Sequence, residues 1–144
     1  MFADSAMTAT PRAAGTPITP MRIPVVYIAG PYRAKSRAGV ELNIQSARAM
    51  GMQTVRKGWS PLIPHANTGG LDEAAPDIPD DYWLAATMEL MRRCDAVLLC
   101  PGYHTSAGTE AEVAEAARLG IPVYRSPREL PSAKNWTSIR LHDR

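Results

Sequence analysis

Ser106, Gly108, Thr109 and Glu112 are the residues of this 144-residue chain whose types and spacing point most directly to chemistry. They stand in the run S-A-G-T-E-A-E, Ser106 to Glu112. A serine placed just before a helix caps it, and the N–H groups of Gly108 and Thr109, with the positive end of the helix dipole, form an anion site suited to phosphate. Glu112 follows Gly108 by four residues and Thr109 by three, so the three share one helical face and the carboxylate points at the same crevice. A carboxylate in the early turns of a helix is biased toward its ionised form, which is the form a nucleophile needs. By spacing alone, an ordinary cap and a solvated glutamate satisfy the same pattern.

The elements that must position these residues are legible on either side. Ala96 to Cys100 is a short apolar run, as expected of a strand covered on both faces, and Pro101 and Gly102 end it. The helix after Ser106 carries Val113, Ala116, Ala117 and Gly120 at helical spacing, with Gly120 as its stop, and Ile121 to Tyr124 begins another strand. The unit reads as a βαβ crossover, in which ligands sit beyond the carboxyl ends of the strands. Ile23 to Ala29 reads as the first strand, and Gly30 and Pro31 turn the chain. Tyr32, Arg33 and Lys35 therefore approach the same crevice. Arg33 could pair with phosphate there, or stand as a solvated loop residue. The fold class expected is α/β: a Rossmann-like (flavodoxin-like) open parallel sheet of four or five strands with helices on both faces. No G-x-G-x-x-G fingerprint is present, and no cofactor is expected.

Between these motifs the periodicity predicts a helix over Glu41–Lys57, with Asn43 near its start and Val40, Ile44, Ala47, Gly51 and Val55 on one face. Trp59 to Ile63 reads as a strand that Pro61 assigns to an edge. Pro64 to Pro79 reads as a long loop, a substrate lid that brings His65 and Asn67 to the pocket. Asp80 or Asp81 is expected to cap a helix whose stripe Leu84, Thr87, Met88 and Met91 faces the sheet. Tyr82 and Trp83 stand at the crevice edge, where they could stack on a base or pack as core. Asp95, at the opposite edge of the sheet, reads as structural. Ser126 to Glu129 has capping-box spacing for a short helix. The division expected is a disordered extension over 1–22, a domain over 23–130 and a tail over 131–144, in which Trp136, Ile139 and Leu141 dock on the domain or on a neighbouring subunit.

Composition bounds the function classes. A net charge of +2 without blocks of like charge gives no footprint for a nucleic acid polymer. Cys94 and Cys100 form neither a disulfide framework nor a C-x-x-C pair, and His65, His104 and His142 lack metal-site spacing, so no metal is expected. Apolar runs are too short for a membrane span, and no signal-peptide pattern is recognised, so no membrane partner and a cytoplasmic location are expected.

The run S-A-G-T-E-A-E resembles the S-x-G-x-x-x-E signature of the nucleoside 2-deoxyribosyltransferase superfamily, which includes the 2'-deoxynucleoside 5'-monophosphate N-hydrolases. Y-I-A-G-P-Y-R, Tyr27 to Arg33, is similar to that family's first-strand motif, and C-D-A-V-L-L, P-G-Y and G-I-P-V are similar to segments of its bacterial and phage relatives. The resemblance covers about Val25 to Tyr124. It implies cleavage or transfer at the N-glycosidic bond of a nucleoside or nucleoside 5'-monophosphate, with Glu112 as the nucleophile and Tyr27 positioning it. Gly30, Tyr32, Arg33, Asn43, His65, Trp83, Ser106 and Gly108 are the substrate-binding residues expected, Ser106 and Arg33 holding the phosphate. It also implies a homo-oligomer, a dimer in the simplest case. The family's aspartate on the helix before C-D, eight residues ahead of Asp95, is Thr87 here; threonine is no general acid at neutral pH, so Glu89, Asp81 or His65 is left to substitute, although helical direction sets Glu89 well away from Thr87. That departure keeps a second class open, a sensor or regulatory module that binds a nucleotide without turning it over.

Overall fold

The structure, a computed structural model, describes residues 22–142, with side chains to 138. The expectations for the segment before Arg22 and for the side chains of Ile139 and Leu141 lie outside the described residues. Four strands form one all-parallel sheet: β1 (Val25–Ala29), β2 (Ser60–Leu62), β3 (Ala96–Leu99) and β4 (Val123–Tyr124), in the order β2-β1-β3-β4. Successive side chains of the two central strands go to opposite faces, which divides the core in two. Val26, Ile28, Ala96 and Leu98 pack under α1 (Arg37–Val55) with Ala47, Met50, Trp59, Leu130 and Trp136. Tyr27, Ala29, Val97 and Leu99 face the other way, onto Met91 of α4 (Asp80–Arg92) and Ala116 of α5 (Ala107–Leu119). All of β1 beyond Val25 and all of β3 is buried, as a sheet covered on both faces requires. This is the Rossmann-like α/β architecture the sequence predicts, with four strands and β2 at an edge.

The strand order places a topological switch between β1 and β3, because the crossover after β1 runs outward to β2 and the crossover after β3 runs outward to β4. Their carboxyl ends splay into a crevice there. Asp95 closes the opposite end of the same pair: its carboxylate accepts from Val25 N at 2.8 Å and from Arg22 at 2.6 Å, so its role is structural.

Several element boundaries differ from expectation. α1 begins at Arg37, four residues before Glu41, because Ser36 Oγ caps it by accepting from Gly39 N at 3.1 Å. Its buried face is Ala47, Met50, Gly51 and Thr54, while Val55 is exposed. The expected loop Pro64–Pro79 holds two short helices, α2 (Pro64–Thr68) and α3 (Leu71–Ala74). Neither Asp80 nor Asp81 caps α4; both lie inside its first turn, behind Pro79. Leu84 is exposed rather than turned to the sheet, and so is Ala117 of α5. Ser126 and Glu129 make their reciprocal bonds, Glu129 N to Ser126 Oγ at 3.4 Å and Arg125 N to Glu129 Oε2 at 2.9 Å, yet the segment is a turn, not a helix.

The stretch expected as a tail over 131–144 docks on the domain through Trp136. It forms α6 (Ala133–His142), whose buried Trp136 meets Trp59 edge to face at 5.2 Å between ring centroids. Trp59 Nε1 donates to Pro131 O at 2.8 Å, and the Lys57 ammonium donates to the carbonyls of Pro127 and Leu130. The compact unit thus extends at least to Trp136.

Gly30, at the carboxyl end of β1, marks the tightest approach in the crevice. A Cβ built there would stand 2.5 Å from Cys100 Cβ, a contact between two backbone-fixed atoms that no rotamer relieves. Gly30→Ala is expected to lower stability in urea denaturation by about 2–3 kcal/mol. Adding Cys100→Ala should restore little, since it removes the 2.9 Å contact with Sγ but leaves the opposing Cβ, whereas adding Cys100→Gly should restore more of the loss.

Candidate active site

A cavity of about 430 Å³ opens at the switch point, within the size range of small-molecule sites. Tyr27 of β1 forms its floor; the loop from Gly30 to Arg33, His65 of α2, Trp83, Leu84 and Thr87 of α4, and Ser106 to Glu112 of α5 form its walls. Among the described residues, five buried side-chain polar atoms lack a hydrogen-bond partner: Tyr27 OH, His65 Nδ1, Trp83 Nε1, Thr109 Oγ1 and Glu112 Oε2. All five belong to residues that line this cavity. Buried polar groups are almost always satisfied, and each orphan costs about 1–3 kcal/mol, so five on one wall describe a surface built to meet polar atoms of something else.

Glu112 is only 7 % exposed. Desolvation raises its carboxyl from 4.5 to about 7, and the facing Tyr27 hydroxyl lowers it in part by favouring the charged form. The expectation that the helix N-terminus keeps Glu112 ionised is thus corrected: burial outweighs that bias. Tyr27 is itself wholly buried, and burial beside Glu112 pushes its phenol far above the usual range, so it stays protonated and can only donate toward the carboxylate. Thr87 stands at the same phenol, its own hydroxyl bonded back to Leu84 O at 3.1 Å. Cys100 is inert by comparison, burial raising its thiol to about 12.

The other expected residues divide between wall and scaffold. Ser106 caps α5 as the sequence predicts, but its Oγ takes the Thr109 N–H at 3.2 Å, so that donor is not free for an anion. Gly108 lines the cavity, and a Cβ there would make only ordinary contact with Leu84 at 3.5 Å. Arg33 reaches the mouth and is held by Asp80 at 2.5 Å. Asn43 is not among the residues lining the cavity; its amide donates to Tyr32 O at 3.0 Å and pins the first loop from behind. His65 lines the cavity, yet Nε2 donates to the carbonyls of Gly30 and Pro31 at 2.9 and 3.0 Å, and burial lowers its pKa, so the ring is neutral and also fastens that loop. Tyr32 donates to Asp72 Oδ1 at 3.1 Å and accepts from Gly70 N at 3.3 Å, which ties the loop to α3. Thr68, Asp72 and Thr105 line the cavity though sequence reasoning gave them no role, Asp80 was read only as a helix cap, and Thr109 was read for its N–H rather than its hydroxyl. Asp72 was hidden inside an apparent loop; the run L-D-E-A after Gly70 is too short to carry a helical period.

Among the described residues no cluster of three or more His, Cys, Asp or Glu could hold a metal ion, and no helix is long and apolar enough to cross a membrane. Fold and cavity define a Rossmann-like α/β domain with a partly enclosed pocket at its switch point. The chain belongs to the family described as Domain of unknown function (DUF7768), whose model matches residues 24–126. No curated protein matches it.

The raised carboxyl has a stability signature. Folding raises the Glu112 pKa, so the native state holds a proton that the unfolded chain has released between 4.5 and about 7, and stability falls as pH climbs through that window. Glu112→Gln removes the penalty. In urea denaturation the variant is expected to exceed the parent at pH 8 by on the order of 2–3 kcal/mol, with the difference vanishing below pH about 4.

Proposed function

We propose that this domain cleaves the N-glycosidic bond of a nucleoside or nucleoside 5'-monophosphate, or transfers its sugar, with Glu112 as nucleophile. One observation carries the reading: a buried carboxylate with an unpartnered oxygen, faced by a protonated tyrosine, at the head of a cavity of nucleoside dimensions. The resemblance of Ser106–Glu112 and Tyr27–Arg33 to the nucleoside 2-deoxyribosyltransferase superfamily supports it.

In this scheme Glu112 Oε2 attacks the anomeric carbon as the carbon–nitrogen bond breaks, and the bonding pair leaves on the base nitrogen. Water then attacks the same carbon, releases Glu112 and supplies the proton that completes the free base; an acceptor nucleobase in place of water gives transfer. Tyr27, protonated and facing the carboxylate, is the donor available to Glu112 when it carries charge, before attack and after release. Glu89 is excluded as proton donor to the base, because it lies on the outer face of α4 in ion pairs with Arg92 and Arg93. Thr87 supplies none either, so leaving groups that depart as stable anions are the favoured substrates.

The second reading, binding without turnover, is favoured by that same threonine. A homo-oligomer and a cytoplasmic setting accompany either reading as proposals.

Incubation with a panel of ribo- and 2'-deoxyribonucleosides and their 5'-monophosphates, read by chromatography of free base, separates the two. Base release by the parent and a loss of roughly a thousandfold or more in Glu112→Ala are expected. Because the nucleophile must be ionised, kcat/KM should rise with pH up to about 7 and level off above it. Raised melting temperatures without base release would establish the binding module instead.

A further inference from the structure

The three tryptophans of the chain serve different ends. Trp59 and Trp136 pack together in the core, and the Trp59 indole N–H is satisfied by Pro131 O at 2.8 Å. Trp83 lies in the first turns of α4, and its Nε1 is buried on the cavity wall with no protein acceptor. An indole N–H is a donor only, so it is satisfied by an acceptor that enters the cavity, a water or an atom of a ligand. The ring is held in place from outside by Tyr82, edge to face at 5.3 Å and 79°. Trp83 precedes Thr87 by four residues, so it lies on the same face of α4 one turn away, about 6 Å along the axis. Thr87 marks the depth of Tyr27 and Glu112. Trp83 therefore sits on the α4 wall one helical turn from the level at which Thr87 meets Tyr27, an offset of the order of a nucleobase's width.

We propose that Trp83 is the base-selecting residue of the pocket: its indole N–H donates to a carbonyl oxygen or unprotonated ring nitrogen of the base while Glu112 addresses the sugar. This rests on the reading of the cavity as a nucleoside site and adds a direction to it. A base edge that presents an amino group to Trp83 meets donor with donor and is disfavoured, while one that presents an acceptor is retained.

Proton–nitrogen correlation spectra of the full chain resolve the indole N–H signals, and Trp83→Phe assigns that of Trp83 while keeping an aromatic side chain at the position. Titration with the nucleoside and 5'-monophosphate panel is expected to move the Trp83 signal downfield for at least one base. 2-Deoxyribose, ribose and ribose 5-phosphate, which lack a base, should leave it in place. Trp83→Phe, with its melting temperature checked against the parent, should weaken binding of the responding nucleoside about tenfold. The proposal is overturned if no panel member moves the signal, if the base-free sugars move it equally, or if the phenylalanine variant binds as the parent does. Failure of the enzymatic reading looks different: a Trp83 signal that responds to nucleosides, with no base released, sinks glycosidic chemistry and leaves base selection standing.

Discussion

The constraint on which the site depends is the cost of keeping a carboxylate away from water. Glu112 is drawn under the surface by α5, and the chain supplies only a phenol to face it. A group raised from 4.5 to about 7 by burial carries on the order of 3 kcal/mol of unfavourable energy when charged. That is a sizeable share of the stability of a domain of this size. The two-sided core offsets it: β1 and β3 bury nearly every side chain, and this rigid pair is what places Tyr27 below the carboxylate. Stability is thus spent at one point of the fold and gathered everywhere else.

The first loop shows how that stability becomes geometry. Gly30 is pressed against Cys100, His65 holds the Gly30 and Pro31 carbonyls, Asn43 holds Tyr32 O, and Tyr32 reaches Asp72. Residues that looked like ligand contacts in sequence act largely by fixing backbone. Asn43 and Tyr32 spend their hydrogen bonds within the protein and His65 keeps only Nδ1 without a partner, while Tyr27, Trp83, Thr109 and Glu112 present their unpartnered atoms at the cavity.

How much of this was legible follows from the kind of signal each part leaves. Ser106, Gly108 and Glu112 lie on one short stretch, where spacing alone fixes relative direction, and the parallel sheet follows from the βαβ pattern with its short connections, though not the order of its strands. Burial strength is another matter, because the degree to which Glu112 is desolvated depends on α4 closing over α5, a contact between elements distant in sequence. The same holds for Asn43 and His65, whose partners lie 11 and 35 residues away. Short helices α2 and α3 escaped because a single turn carries no period, and α6 because its one strong anchor, Trp136, is set among polar residues.

Pro61 has a consequence beyond marking β2 as an edge. Ser60 N donates inward to Pro24 O, so the position after it turns its nitrogen outward, and proline has no hydrogen there to offer. The opposite margin, β4, is two residues long. Neither of these margins therefore offers a long run of unpaired N–H groups to a further strand.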